Sequence, residues 1–330
     1  MSFGAKQLIA SWTADVPSDT WLEIEIRGTT TSGDRTGWYV MGRWAMTDMD
    51  IHRTSVPDQD DEFGRVTVDT FKAVDGVTLR SYQLRVTLYR LPNSEHSPVV
   101  HSASVMASHL SEQKHVDASP LGGAEGIVLD VPKYSQEIHK GEYPKWDGGG
   151  EAWCSPTSTA MILSYWGRGP TDEQMSWVNP DYKDPQVDFA VRGTYDYSYD
   201  GAGNWPFNVA YAGRFGLDGF VTRLRSLTEL EQYIKAGIPV ITSVSFEADE
   251  LPSAGYGTDG HLMVIVGFTE DGDVVANDPF APTNEDVRCI YSRAAFENVW
   301  QRTTGSGGIV YIIYLPEHTH PAHPTGTKQR

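Results

Sequence analysis

The stretch Glu151-Ala152-Trp153-Cys154-Ser155-Pro156-Thr157-Ser158-Thr159-Ala160-Met161-Ile162-Leu163 sets a cysteine directly ahead of a helix. Pro156 suits a first helical turn and Gly167 a stop, so the helix is predicted over 155–166. A thiol at that end meets unpaired backbone N–H groups and the positive end of the helix dipole, which favour the nucleophilic thiolate. The same N–H groups can hold an oxyanion. The alternative is a buried structural cysteine, and Cys289, in Asp286-Val287-Arg288-Cys289-Ile290-Tyr291, fits that reading.

Downstream, a second helix is predicted over 227–236, and apolar runs at 239–244, 262–268 and 309–315 read as buried strands, so this part is mixed α and β. His261 opens the middle run, at the mouth of a strand that would hold it rigid at a cleft. Glu270-Asp271-Gly272-Asp273 is a hairpin signal, with 274–277 returning as the partner strand. A turn centred on Asp271-Gly272 sets Asp278 opposite Ile265, on His261's face, and turns Asn277 away. Parity therefore selects Asp278 as the carboxylate that orients His261. This register leaves the two about four residues apart along the ribbon, so a bend or bulge has to close the gap. Gln136, in Val131-Pro132-Lys133-Tyr134-Ser135-Gln136, carries an amide able to donate to an oxyanion; an inert surface glutamine is its alternative. The acidic segment 181–205, with Tyr195, Tyr197, Tyr199 and Asp200, reads as loop that lines the cleft and favours basic or extended substrates.

Upstream the apolar period changes to two, as in Trp21-Leu22-Glu23-Ile24-Glu25-Ile26-Arg27 and Tyr82-Gln83-Leu84-Arg85-Val86-Thr87-Leu88-Tyr89. Further strands are expected at 37–44, 65–71 and 99–106, separated by polar turns, which indicates an all-β sandwich. Four segments follow: a β-sandwich over 1–110, a linker over 111–126, an α+β domain over 127–316 and a loose tail over 317–330. Trp12, Trp21, Trp38 and Trp44 are read first as core and second as sugar platforms.

Bulk properties agree with two domains. The 330 residues are 39% hydrophobic and 21% charged, enough to bury a core with no extended disorder. A formal net charge of −18 repels a phosphate backbone, so nucleic acid is not an expected partner. No apolar run reaches membrane-spanning length, and Met1 to Trp12 lack the pattern of a secretory leader. His52, His96, His101, His109 and His115 show no ligand spacing, so neither metal nor cofactor is expected. Two cysteines leave the compartment open.

The order Val131-Pro132…Gln136, Cys154-Ser155-Pro156, Ser164-Tyr165-Trp166-Gly167, Gly260-His261…Val264-Ile265-Val266-Gly267 and Asn277-Asp278-Pro279 resembles the bacteriocin-processing (double-glycine) peptidases of the papain-like clan. The resemblance spans about 127–315 and implies a papain-like cysteine peptidase acting on peptide or protein. It implies Cys154 as nucleophile, His261 as general base, Asp278 as its orienter and Gln136 as oxyanion donor. The chain departs from the family pattern in Trp153 and Ser155 beside the nucleophile, and in residues 142–150, which lengthen the spacing from Gln136 to Cys154. The N-terminal part resembles accessory domains of bacterial secreted hydrolases, which implies a secreted or cell-envelope setting and a carbohydrate partner for that part. Two other readings stand beside it: a transpeptidase similar to phytochelatin synthases, which uses the same residues, and an inactive papain-like domain that binds peptide or glycan, with the sandwich as the working part. Cleavage after the paired glycines Gly122-Gly123 is a further expectation carried by the family.

Overall fold

The computed structural model describes residues 1–49 and 51–322. The N-terminal part holds β1 (Gln7–Asp15), β2 (Thr20–Thr30), β3 (Tyr39–Trp44), β4 (Gly64–Thr67), β5 (Thr70–Ala73), β6 (Leu79–Arg90) and β7 (Val99–Ser108). They form two antiparallel sheets, ordered β4-β5-β1-β7 and β3-β2-β6. Alternation in β2 sends Leu22, Ile24 and Ile26 inward to meet Leu8, Ala10 and Phe71 of the facing sheet. The single strand expected at 65–71 is two, because Val68 turns into the left-handed region (φ 55°) and folds β4 back onto β5.

The C-terminal part runs α1 (Cys154–Tyr165), α2 (Asp172–Met175), α3 (Pro185–Thr194), α4 (Trp205–Gly213), β8 (Asp218–Arg223), α5 (Leu227–Lys235), β9 (Val240–Phe246), β10 (Thr258–Phe268), β11 (Val274–Asn277), β12 (Arg288–Tyr291), α6 (Arg293–Gln301) and β13 (Ile309–Tyr314). Six strands make one sheet, ordered β12-β11-β10-β9-β13-β8. Its central strand, β10, is apolar at consecutive positions because both of its faces are covered. Leu262, Val264 and Val266 join one core with Met161 of α1. Met263, Ile265 and Phe268 join a second core with Leu230 and Tyr233 of α5 and Phe296 of α6. The segment 181–205, expected as loop, holds α3. Pro185 opens that helix at N1, and Val187, Ala190, Val191 and Thr194 form its buried face.

The two parts share a core. Trp12 and Trp44 are buried and converge on Phe207 of α4, with ring centroids 6.1 and 5.3 Å away. Trp21 stacks on Tyr89, and the Arg27 and Arg85 guanidiniums lie over Trp38. Polar groups fix the contact: buried Arg53 donates to the Arg192 carbonyl (2.6 Å), Ser55 N–H to Asp196 (2.9 Å) and Trp205 N–H to Asp69 Oδ2 (2.9 Å). Phe207→Ala is expected to destabilise the protein by about 3–5 kcal/mol, since two tryptophans lose their packing partner. Urea midpoints measure this, with Phe207→Leu expected to lose well under half as much.

Between the two parts, the connecting segment is pinned rather than free. Ser119 N–H donates to Glu297 (2.7 Å), and the N–H groups of Gly122 and Ala124 to Glu231 (2.6 and 3.0 Å). Gly122-Gly123 therefore lies against α5. Beyond β13, the His318 ring packs on Trp166 and its Nε2 meets the Ala236 carbonyl (2.6 Å). Residues 323–330 of the expected tail lie outside the described residues.

Candidate active site

Cys154 is the first residue of α1 and is partly exposed. No side chain caps this helix, so its first N–H groups face the thiol's surroundings. Pro156 has no N–H to leave unpaired, which is why it is tolerated there. Facing α1, β10 carries His261, which lines the same cleft as Cys154 and interacts with it electrostatically. His261 Nε2 meets Asp278 Oδ1 at 2.8 Å, which leaves Nδ1 for the thiol.

Asp278 meets His261, but the register differs from the expected one. Val264 pairs Asn277 and Ile265 pairs Ala276, with a bulge between Ile265 and Gly267. Continued by one residue, this register sets Asp278 opposite Met263 rather than Ile265. The gap to His261 is thus two residues rather than four: the turn, centred on Asp271, supplies one residue of the difference and the bulge the other. Asn277 points to the other face, where its Nδ2 donates to the carbonyls of Val131 (3.3 Å) and Pro132 (3.0 Å).

Asp278 is buried and accepts four hydrogen bonds. His261 and Phe280 N–H (3.0 Å) reach Oδ1, while the hydroxyls of Tyr256 (2.7 Å) and Tyr291 (2.6 Å) reach Oδ2. Burial alone would raise its pKa, but the His261 charge and these bonds hold it down at about 2. Burial pulls His261 downward, and the Asp278 charge and hydrogen bond, together with Cys154, outweigh it and raise the ring to about 10. Tyr256 and Phe280 also pack edge-on against the imidazole, so Asp278 does not fix its plane alone. Neither tyrosine was foreseen. The only sequence signal for Tyr291 is its place in the strand that pairs with β11, which the apolar pattern did not reveal.

Gln136 is buried, and its backbone N–H donates to the Pro279 carbonyl (2.8 Å), next to Asp278. Its Nε2 donates to the Glu151 carbonyl (2.6 Å), three residues before Cys154, and to Glu137 Oε1 (3.2 Å). The second cysteine, Cys289, lies in β12, and burial together with the Asp278 charge raises its pKa.

Cys154 and His261 open onto a cleft of about 480 Å³ whose walls include Tyr199, Trp205, Asp147, Glu151 and Asp259. Of the segment 181–205, Tyr199 and Trp205 reach the cleft. Tyr195 bonds Asp200 and Tyr197 bonds Asp48 instead (3.3 Å). A second depression of about 320 Å³ shares Tyr199 and Trp205 and continues onto Asp69 and Thr67 of the N-terminal part.

A cysteine heading a helix packed on an antiparallel sheet, with a histidine–aspartate pair on that sheet, defines a papain-like cysteine peptidase. Residues 128–307 match the Peptidase C39 like family, and the chain belongs to it; residues 1–108 match the Peptidase C39 N-terminal domain. Among solved structures, the chain is similar to a Bacillus anthracis protein described as C39-like (19% identity, 58% of this chain and 98% of that one, TM-score 0.35). It is also similar to interpain A, a cysteine protease of Prevotella intermedia (15%, 62% and 100%, TM-score 0.35). Xylellain, a cysteine protease of Xylella fastidiosa, follows (10%, 63% and 98%, TM-score 0.28). No curated protein matches the chain. The assignment rests on the family match. Among the described residues, no helix is long and apolar enough to cross a membrane.

Proposed function

We propose that the chain hydrolyses peptide bonds through a Cys154-His261-Asp278 triad and a thioester intermediate. The observation that carries this reading is the 2.8 Å His261–Asp278 pair, whose ring shares one cleft with the thiol at the head of α1. The Cys154 thiolate attacks the amide carbonyl, and the oxyanion forms at the uncapped end of the helix. His261 Nδ1 then protonates the leaving amine as the C–N bond breaks. Water, deprotonated by the same nitrogen, attacks the thioester, releasing the acid and restoring the thiol. The cleft's continuation onto the N-terminal part supports an extended peptide as substrate.

Alkylation tests this. At about pH 6, iodoacetamide is expected to modify Cys154 well ahead of Cys289, whose thiol is disfavoured by burial, and to stop peptide cleavage in step with labelling. Peptide mapping locates the label, and cleavage that persists in fully Cys154-labelled protein sinks the proposal.

Gln136 is proposed as the second oxyanion donor, its Nε2 giving up the longer bond to Glu137 when substrate binds. Gln136→Ala is expected to lower kcat about 10²-fold with little change in KM, because the donor acts on charge that develops only in the transition state. Steady-state kinetics on a peptide substrate reads the split. Equal kcat in both proteins removes Gln136 from the mechanism.

A further inference from the structure

Behind the catalytic cysteine lies a second cluster of ionisable groups that the proposed reaction does not use. His139 closes a short 3₁₀ turn over Glu137–His139, Glu142 follows three residues later, and Asp188 projects from α3. His139 Nδ1 lies 2.7 Å from Glu142 Oε2 and 3.6 Å from Asp188 Oδ2, and donor atoms of all three fall within 4.8 Å of one another. His139 and Asp188 are fully buried, and Glu142 is 8% exposed.

Two carboxyls are thus brought together with His139 as the one basic group paired to them among the described residues. Neither Asp188 oxygen meets an N–H or hydroxyl donor, although both are shielded from water, and the carboxyl of Glu142 lies against them. Among the described residues, no lysine or arginine is ion-paired with Glu142 or Asp188; His139 is the ion-pair partner of each. A third acid, Asp184, adds further negative charge beside them. Buried carboxylates ordinarily have a charged partner or a metal.

We propose that His139, Glu142 and Asp188 bind one divalent first-row transition ion, zinc fitting best, as a structural clamp. An imidazole nitrogen with two carboxylates is a zinc-type donor set, whereas calcium and magnesium take oxygen ligands. Such an ion takes its donors at about 2.0–2.2 Å, so the three side chains would close on it from their present separations. The ion would tie the 139–142 turn to α3. Gly149 and Gly150 already press against that turn, where a Cβ would lie 2.6 Å from the Glu142 carbonyl oxygen and 2.5 Å from Lys140 N. The His139 ring lies 5.9 Å from that of Trp153, so the clamp also braces the residue before Cys154. The residues that lengthen the path from Gln136 to Cys154 thereby gain an anchor. His139 was not among the histidines weighed from sequence, because its partner Asp188 is distant in the chain.

The test uses full-length Cys154→Ala protein, so that zinc cannot be captured by the catalytic thiolate, and compares it with Cys154→Ala/Asp188→Asn. Tail histidines are present in both and cancel. After chelation and dialysis, the first protein is expected to take up one more equivalent of Co²⁺ or Zn²⁺ than the second. Cobalt d–d absorption should appear only in the first, and zinc at a hundredfold excess over Kd should raise its Tm alone by roughly 5 °C. If circular dichroism shows the Asp188→Asn protein misfolded, Glu142→Gln, at the rim of the cluster, replaces it with the same expectation. Equal metal uptake by parent and folded variant, or no Tm rise in the parent, overturns the proposal and leaves a carboxyl pair sharing a proton.

Discussion

Cys154→Ala is expected to lower kcat/KM by at least about 10⁵-fold, equal to about 7 kcal/mol of transition-state stabilisation, while leaving the fold intact. Both halves follow from where the thiol sits. It lines the same cleft as His261, so no other group in the described residues replaces its attack; Cys289 lies in a different strand with a disfavoured thiolate. It is also only partly buried, and alanine is the strongest helix former, so α1 loses little. The expected Tm therefore stays within about 2 °C of wild type, a change of order 1 kcal/mol or less. Cleavage of a denatured protein substrate, with Tm from the same preparations, measures both. Residual activity within tenfold of wild type would falsify the nucleophile assignment.

How much of this was legible depends on the range over which each feature is encoded. The helix behind Cys154 is written locally in Pro156 and Gly167, and the structure places it at Cys154–Tyr165. The face of Asp278 was legible too, because strand parity survives a register error of two residues; the register itself was not, since a bulge leaves no local mark in Val264-Ile265-Val266-Gly267. The helix α3 carried a signal in Pro185 and the spacing of Val187, Ala190 and Val191, but the surrounding acids and tyrosines read as loop. What sequence order could not supply were contacts between distant segments. Tyr256, Tyr291 and Asp278 meet only once three strands are paired, and Trp12, Trp44 and Phe207 only once the two parts dock. The docking has a mechanistic consequence as well. Asp69, from the turn between β4 and β5, holds the first N–H of α4 at Trp205, so the N-terminal part fixes one wall of the cleft.

Asp278→Ala and Asp278→Asn are expected to separate the two contributions of this carboxylate. Four donors converge on it, and a carboxylate is acceptor-only, so it satisfies all of them at once. Alanine leaves a buried imidazole and two buried hydroxyls without that partner. The expected cost is about 3–5 kcal/mol of stability and about 10⁴ in kcat/KM, as the ring loses both its orientation and its counter-charge. Asparagine keeps an oxygen toward His261, and the hydroxyls of Tyr256 and Tyr291 can rotate to accept from the new amide, so geometry survives and charge is lost. The difference then shows in pH dependence. Burial disfavours the His261 cation, and the Asp278 charge more than offsets this to hold the ring at about 10. A raised histidine keeps its proton below that value and loses it as pH rises through it, so wild-type kcat/KM should hold to about pH 9 and fall near pH 10. Without the charge, burial prevails and the alkaline limb moves down toward or below the ordinary histidine value of about 6.5, so the Asp278→Asn protein loses more activity at pH 8 than at pH 6. Parallel pH–rate profiles of the two proteins decide the matter, because an unchanged alkaline limb in Asp278→Asn means that the carboxylate only orients the ring and does not hold its charge.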